Sequence, residues 1–244
     1  MKMHTFVKGF CCLLWVSSTV NAAVTPDRTR IIFNESEKSL SLRLTNKSSK
    51  LPFLAQSWIE DHSGKKSRDY FTALPPMIRL EPDEQVQVRL VGQAALKQLP
   101  ADRETLFYYN VREIPPRSEE KNVMQIAMQS RLKLFWRPKA IEIKENQFNP
   151  LGKIDARRTA GGLALKNNSP YYVTIGYIGT NGKTLLADTQ SMMIEPFGEV
   201  SQAMKNLPAN FQIGFIGDYG GVNMFKFNCN SLQTVCQMSS VKKG

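Results

Sequence analysis

A phosphate-binding loop is the first chemical motif that the residue spacing suggests. The segment from Gly176 to Thr184 ends in Gly-Lys-Thr after a strand-like run. A P-loop requires another glycine five positions before that Gly-Lys pair, and Tyr177 stands there instead. More strand-like sequence follows in place of a helix, and Asn181-Gly182 favours a tight turn because both residues tolerate positive φ. The segment therefore predicts a β-hairpin.

Catalytic and metal-binding constellations are equally hard to assemble. The sequence contains no Gly-x-Ser-x-Gly elbow and no His-Glu-x-x-His motif. His62 is the one histidine beyond the N-terminal segment, and it lies in a turn-like Asp-His-Ser-Gly stretch that suits neither a general base nor a metal site. The pair Glu119-Glu120 lies between Ser118 and Lys121, as in a solvated loop. We therefore predict a protein that is not an enzyme and that has no metal and no cofactor.

The N-terminus has the features of a secretory signal peptide. Lys2 and Lys8 surround the start of a short apolar run, Phe10 to Val16, and Val20-Asn21-Ala22 resembles a cleavage site. We expect cleavage after Ala22, so that residues 1–22 are removed. A membrane anchor is the alternative, but the apolar run is far shorter than the roughly 18 residues that cross a bilayer.

Export leaves two cysteines, Cys229 and Cys236, close together near the C-terminus. In an oxidising compartment, two neighbouring cysteines favour a disulfide over a free thiol.

The chain is basic, with 32 Lys and Arg against 21 Asp and Glu and a formal net charge of +11. Removal of Lys2 and Lys8 with the signal lowers that charge to +9. The basic residues are dispersed in short runs such as Lys65-Lys66 and Arg157-Arg158. Nucleic-acid binding favours a concentrated basic stripe with stacking aromatics. We therefore expect neither a nucleic acid nor a small-molecule substrate as partner.

Alternation with a period of two dominates the rest of the chain, and long helical patterns are absent. The strand candidates are Lys38 to Leu44, Phe53 to Ile59, Gln85 to Leu90, Leu106 to Val111, Asn122 to Phe135, Leu163 to Leu165, Tyr172 to Ile175, Met192 to Ile194, Ile213 to Phe215 and Met224 to Phe227. Pro138-Lys139-Ala140 interrupts the pattern. We predict two β-sandwich domains of about 100 residues each, joined near residues 138–142. One large β-barrel is the alternative.

The segment from Asn122 to Arg137 is the longest strand candidate. Met124, Ile126 and Met128 occupy alternate positions and form an apolar face at its start. A stiff, polar lead-in with Pro115-Pro116 precedes it. The segment fits an ordinary half-buried strand, but it also fits a strand donated to another chain, with main-chain hydrogen bonds for affinity and alternate side chains for specificity.

Motifs distributed over nearly the whole chain after the signal resemble the periplasmic pilus (fimbrial) chaperones of the chaperone–usher pathway, the PapD-like family. The matching segments are Asp27 to Phe33, Pro52 to Glu60, Pro75-Pro76, Arg79 to Pro82, Leu99 to Glu104, Phe107 to Pro116, Pro170 to Thr174 and Asp218 to Gly221. The resemblance implies two immunoglobulin-like β-sandwich domains in an L (boomerang) arrangement with an interdomain cleft, covering residues 23–140 and 141–244.

The resemblance also assigns roles to matching residues. Arg30 and Lys133 would anchor the C-terminal carboxylate of a pilin subunit in the cleft. Met124, Ile126 and Met128 would fill the groove of a subunit that lacks a strand. An interdomain salt-bridge network would be formed by Glu104, Arg137 and Asp218.

By this resemblance, the protein is expected to be a periplasmic chaperone that binds pilin subunits by donor-strand complementation, prevents their aggregation and delivers them to an outer-membrane usher. A secreted β-sandwich adhesin or structural pilus subunit is the alternative. A pilin would have one domain with its own donor extension, whereas this sequence predicts two domains and no evident extension. A periplasmic hydrolase would need a catalytic constellation that we do not find.

Overall fold

The computed structural model describes residues 22–118, 122, 124–143, 153–181, 184, 186, 191–229 and 235–240. Two predictions lie largely outside these residues: the signal peptide, of which only Ala22 is described, and the tip of the hairpin at Gly182. The described chain is built from strands and two short 3-10 turns, Ala94–Gln98 and Lys139–Ile141, without an α-helix. No described helix is long and apolar enough to cross a membrane.

The first sandwich consists of a four-stranded and a five-stranded sheet. The four-stranded sheet has the order β1 (Val24–Pro26), β3 (Ser39–Asn46), β7 (Gln85–Gly92), β5 (Phe71–Leu74). The five-stranded sheet has the order β2 (Arg30–Asn34), β9 (Gln129–Arg137), β8 (Thr105–Ile114), β4 (Phe53–Glu60), β6 (Met77–Leu80). Every pairing within these two sheets is antiparallel except β2 with β9, which is parallel.

The second sandwich has a three-stranded and a five-stranded antiparallel sheet. The smaller sheet has the order β10 (Ile154–Thr159), β11 (Gly162–Asn167), β14 (Glu199–Ala203). The larger sheet has the order β13 (Met192–Ile194), β12 (Val173–Gly179), β15 (Asn210–Ile216), β16 (Val222–Asn228), β17 (Gln237–Ser240).

Each sandwich has its own hydrophobic core, so the two-domain prediction is confirmed and the single-barrel alternative is wrong. Phe33, Phe71, Phe107 and Trp136 are in edge-to-face or tilted contact in the first core. In the second core, the rings of Phe211 and Phe227 stack. The predicted disulfide is also confirmed, because Cys229 and Cys236 are bonded and buried within the second core.

Eight of the ten strand candidates agree with the structure to within three residues at both ends, and β12 extends four residues beyond its predicted end at Ile175. Seven shorter strands, β1, β2, β5, β6, β10, β14 and β17, were not among the candidates. The remaining candidate is the important exception. The strand predicted for residues 122–135 begins only at Gln129 and extends to Arg137. Its partner, β8, ends at Ile114, and Pro115 and Pro116 follow without backbone N–H groups to continue the ladder. The backbone N–H of Glu113 bonds the carbonyl of Met128, 3.0 Å away.

A buried asparagine closes one corner of the first sandwich. The Asn46 amide donates to the carbonyls of Leu51 and Glu81, at 2.9 Å each, and its oxygen accepts from the backbone N–H of Ser48. The carbonyl of Ser48 in turn accepts from Asp83, which has φ 58°. One side chain therefore ties the end of β3 to the turn that leads into β7.

The second sandwich repeats this corner, although the first acceptor lies four positions after the asparagine instead of five. The Asn167 amide donates to the carbonyls of Tyr171 and Glu195, and its oxygen accepts from the backbone N–H of Ser169. The carbonyl of Ser169 accepts from the backbone N–H of Phe197, which has φ 59°. Both corners combine an Asn-x-Ser with a Glu-Pro-x turn. The two domains thus share a structural repeat that is too sparse to stand out in the sequence.

Replacement of either asparagine by alanine should lower the free energy of unfolding by about 2–4 kcal/mol, because two partly buried carbonyls lose their donor and a buried side chain is truncated. Urea denaturation tests this prediction. Tryptophan fluorescence will follow Asn46→Ala, since Trp58 and Trp136 both lie in the first sandwich, and circular dichroism will follow Asn167→Ala. Asn168→Ala is the control, because that side chain is exposed. Equal midpoints for Asn167→Ala and Asn168→Ala would contradict this account of the corner.

Candidate functional site

The parallel pairing of β2 with β9 places Arg30 directly beside Lys133. Ile31 and Phe33 of β2 point into the first core, so Arg30 points to the opposite face of the sheet. The same alternation in β9 sends Leu132 into the core and Lys133 outward. Strand register alone therefore places two cations side by side on one face of the sheet.

The Arg30 guanidinium is held between the two sandwiches. It is 8% exposed, and its Nη1 donates to the carbonyl of Ile216 in β15, 3.0 Å away. Its Nε is buried and has no hydrogen-bond partner. Burial lowers the pKa of Arg30, against the opposing influence of Asp218 and Glu104. The guanidinium is thus fixed by one carbonyl and keeps donors to offer.

Lys133 shares this environment. Burial lowers the pKa of its ammonium group, and the charge of Arg30 lowers it further. Among the described residues, no carboxylate lies within 4.0 Å of either cation. By contrast, Arg131 and Arg137, on the same face of β9, are both paired with carboxylates. The Arg30–Lys133 pair is therefore a site with a surplus of positive charge, suited to an anion.

One edge of β9 is unpaired next to this site. On one side, β9 pairs with β8 from Gln129 to Trp136. On the other side, β2 pairs with it only from Lys133 onward. The backbone between Gln129 and Leu132 thus has no strand neighbour on that side within the described chain.

The residues that precede β9 continue this free edge. Met124 is 86% and Ile126 64% exposed, whereas Met128 is partly buried. All three have the same parity as Leu132 and Leu134, which face the first core. An extended segment here would therefore present these apolar side chains in continuation of that core. We call residues 124–128 the donor segment.

A buried ion-pair network joins the two sandwiches. Arg137 donates to Glu104 at 2.7 and 2.9 Å and to Asp218 of the second sandwich at 2.8 and 3.2 Å. The backbone N–H of Tyr172, also in the second sandwich, donates to Glu104 at 2.7 Å. The structure thus brings together the three residues that were singled out for this network.

Burial dominates the ionisation of Glu104. Despite Arg137 and the Tyr172 N–H, desolvation raises the pKa of this carboxyl group to about 7. Burial also disfavours the charged form of Arg137, but the hydrogen bonds and charges of Asp218 and Glu104 outweigh it and raise the pKa of Arg137.

Further contacts between the sandwiches carried no signal in the sequence. Phe135 packs on Tyr172 with ring centroids 5.5 Å apart. A Cβ added to Gly220 would lie 2.6 Å from Thr29, so the β15–β16 turn approaches the first sandwich closely. The sandwiches enclose a cleft of about 990 Å³ next to Arg30. Backbone carbonyls and close packing of this kind are products of the fold, which residue types do not reveal.

The chain matches known proteins over nearly the whole of its described length. A family model for the N-terminal domain of the pili and flagellar-assembly chaperone PapD matches residues 23–142, and a model for the C-terminal domain of the pili assembly chaperone PapD matches residues 150–227. The chain is 52% identical over 225 residues to the uncharacterized fimbrial chaperone YqiH of Escherichia coli K12, covering 92% of this chain and 90% of that protein.

Two further relatives have names that state a role. The chain is 42% identical over 221 residues to the chaperone protein PapD of Escherichia coli, covering 89% of this chain and 91% of that protein. The crystal structure of the periplasmic chaperone SfaE superimposes with a TM-score of 0.66 at 33% identity, covering 82% of this chain and 95% of that one.

The raised pKa of Glu104 predicts a pH dependence with a definite sign. Its folded-state pKa of about 7 exceeds the ordinary 4.5, so its contribution to stability is full below about pH 4.5 and is lost as pH rises through about 7. Urea denaturation at pH 5 and pH 8 should therefore show wild type losing on the order of 3 kcal/mol relative to Glu104→Gln, which cannot ionise. If wild type instead gains stability relative to Glu104→Gln between pH 5 and pH 8, the ion pair with Arg137 outweighs the burial of Glu104.

Proposed function

Because the chain belongs to the PapD family of pili assembly chaperones, we propose that it captures pilin subunits in the periplasm by donating a strand. In this proposal, residues 124–132 pair with a subunit that lacks a strand, and Arg30 and Lys133 hold the subunit's C-terminal carboxylate. The protein then prevents subunit aggregation and delivers the subunit to an outer-membrane usher. The adhesin or structural-subunit alternative is not favoured, since models of both chaperone domains match this chain.

One observation carries the proposal: the free edge of β9 ends at the cation pair. A strand added to that edge lies in line with β2, and β2 begins at Arg30. If the added strand runs parallel to β9, its C-terminus meets Arg30 and Lys133. An antiparallel strand would bring an N-terminal ammonium group to the same two cations, which would repel it. The charges thus favour a parallel strand that ends in a carboxylate.

Burial of the cations makes the carboxylate contact strong. Charge-assisted hydrogen bonds contribute about 1.5–3 kcal/mol each, and the Nε of Arg30 is a donor without a partner. Binding also supplies the negative charge that this site lacks, which offsets part of the cost of holding Arg30 and Lys133 together.

The donor segment supplies the apolar part of the interaction. Met124 and Ile126 expose most of their surface in the free protein. Burial of each in a subunit groove would contribute on the order of 1.5–3 kcal/mol. Backbone hydrogen bonds along the free edge of β9 add sequence-independent affinity, as in other cases of β-augmentation.

The remaining features fit an exported chaperone. The similar protein SfaE is described as a periplasmic chaperone. We place signal cleavage after Ala22 and the domain boundary between residues 140 and 141, within the 3-10 turn Lys139–Ile141. In this proposal, the network of Glu104, Arg137 and Asp218 fixes the angle between the domains, so that Arg30 lies in the cleft where the two sandwiches meet.

Arg30→Ala and Lys133→Ala should each abolish co-purification of pilin from periplasmic extracts, because each removes an anchor of the carboxylate. Mass spectrometry of the captured proteins measures the yield and identifies the subunit. Lys226→Ala removes a strand lysine from an exposed position in the second sandwich and serves as the control. Wild-type yields from both anchor variants, with unchanged circular dichroism, would refute the anchoring role.

Ile126→Asp tests strand donation independently of the anchor. A carboxylate buried in an apolar groove costs several kcal/mol, so capture should fall by at least about a hundredfold. Leu51→Asp is the matched control, since Leu51 is also exposed but lies outside the donor segment. Equal capture by the two variants would show that residues 124–128 do not enter the subunit.

A further inference from the structure

The apolar face of the donor segment consists of Met124, Ile126 and Met128, so two thioethers lie on either side of one isoleucine. We propose that these methionines form an oxidation-sensitive site: two-electron oxidants of the hypochlorous acid or hydrogen peroxide class convert them to sulfoxides and thereby switch off strand donation. The inference rests on the proposed function, because it assigns a regulatory modification to the same segment.

Solvent exposure singles out Met124 among the described methionines. It is 86% exposed, whereas Met77 is 46% exposed and Met204 is buried. Met192 and Met238 pack against the second core. Since oxidant access follows exposure, Met124 should react first. Met77 is an internal reference, because it lies on β6 and takes no part in strand donation.

The chemistry is a two-electron oxygen transfer to sulfur. With hypochlorous acid, a sulfur–oxygen bond forms and the oxygen–chlorine bond breaks. Sulfur is oxidised by two electrons, chlorine is reduced to chloride, and one proton is released. With hydrogen peroxide, the oxygen–oxygen bond breaks and water leaves. Methionine sulfoxide reductases reduce the sulfoxide back to methionine, so the modification can act as a switch.

The sulfoxide acts by changing the polarity of the donated face. Methionine suits varied grooves because it is flexible and polarizable, but its sulfoxide is polar and would enter a dry groove without a hydrogen-bond partner. Capture should therefore fall by about tenfold to a hundredfold. A seated subunit covers the same sulfurs, so a loaded chaperone should resist oxidation that disables the free one.

The experiment exposes free and subunit-loaded protein to a few equivalents of hypochlorous acid and quenches with excess free methionine. Peptide mass spectrometry then measures sulfoxide at each methionine. The probe for capture is the subunit that co-purifies with wild type from periplasm, released in urea and offered to treated and untreated chaperone. Met124→Leu/Met128→Leu and Met77→Leu are treated in parallel, each compared with its own untreated sample.

We expect treated wild type and Met77→Leu to lose capture at least tenfold, while Met124→Leu/Met128→Leu keeps its own untreated level. Loaded wild type should retain unmodified Met124, and the two sulfoxide reductases that act on opposite epimers should together restore capture by treated wild type. Full capture by wild type after Met124 is converted to its sulfoxide, or equal loss in the double leucine variant, would overturn the proposal. If untreated wild type captures no subunit at all, the proposed function itself fails, and circular dichroism separates that result from unfolding.

Discussion

Arg30 and Lys133 are held side by side by strand register, although like charges repel and both groups are partly removed from water. This unfavourable pairing is the constraint on which the rest of the site depends. It is maintained because Ile31, Phe33, Leu132 and Leu134 anchor the two strands in the first core. Within the described part of the second sandwich, Arg30 donates to one carbonyl, that of Ile216, and Asp218 opposes its charge without forming an ion pair with it.

A single strand connects the three parts of the proposed mechanism. The donor segment leads into β9, Lys133 lies in the middle of that strand, and Arg137 ends it at the interdomain network. A subunit seated on the free edge would therefore contact a strand that is rigidly tied to the second sandwich. Glu104 and Asp218 share Arg137, so the strand that carries Lys133 also carries the ion pair to the second sandwich.

The sequence predicted the sandwiches well because their alternating cores are local patterns, as in Leu40, Leu42 and Leu44 of β3. It could not predict that residues 124–128 lie outside a strand, because pairing depends on where β8 ends. Nor could alternation show that Arg30 is opposite Lys133, since parallel register is a long-range property; only family resemblance joined those residues. The corners at Asn46 and Asn167 were missed because their partners are backbone carbonyls.

The carboxylate is the central element of this account, and binding of a short peptide tests it most directly. A synthetic peptide with the terminal sequence of the captured subunit would be titrated calorimetrically into the protein, once as the free acid and once as the C-terminal amide. The account predicts that the free acid binds at least about tenfold more tightly and that Lys133→Ala reduces this difference. Equal affinities for acid and amide in the wild-type protein would contradict it.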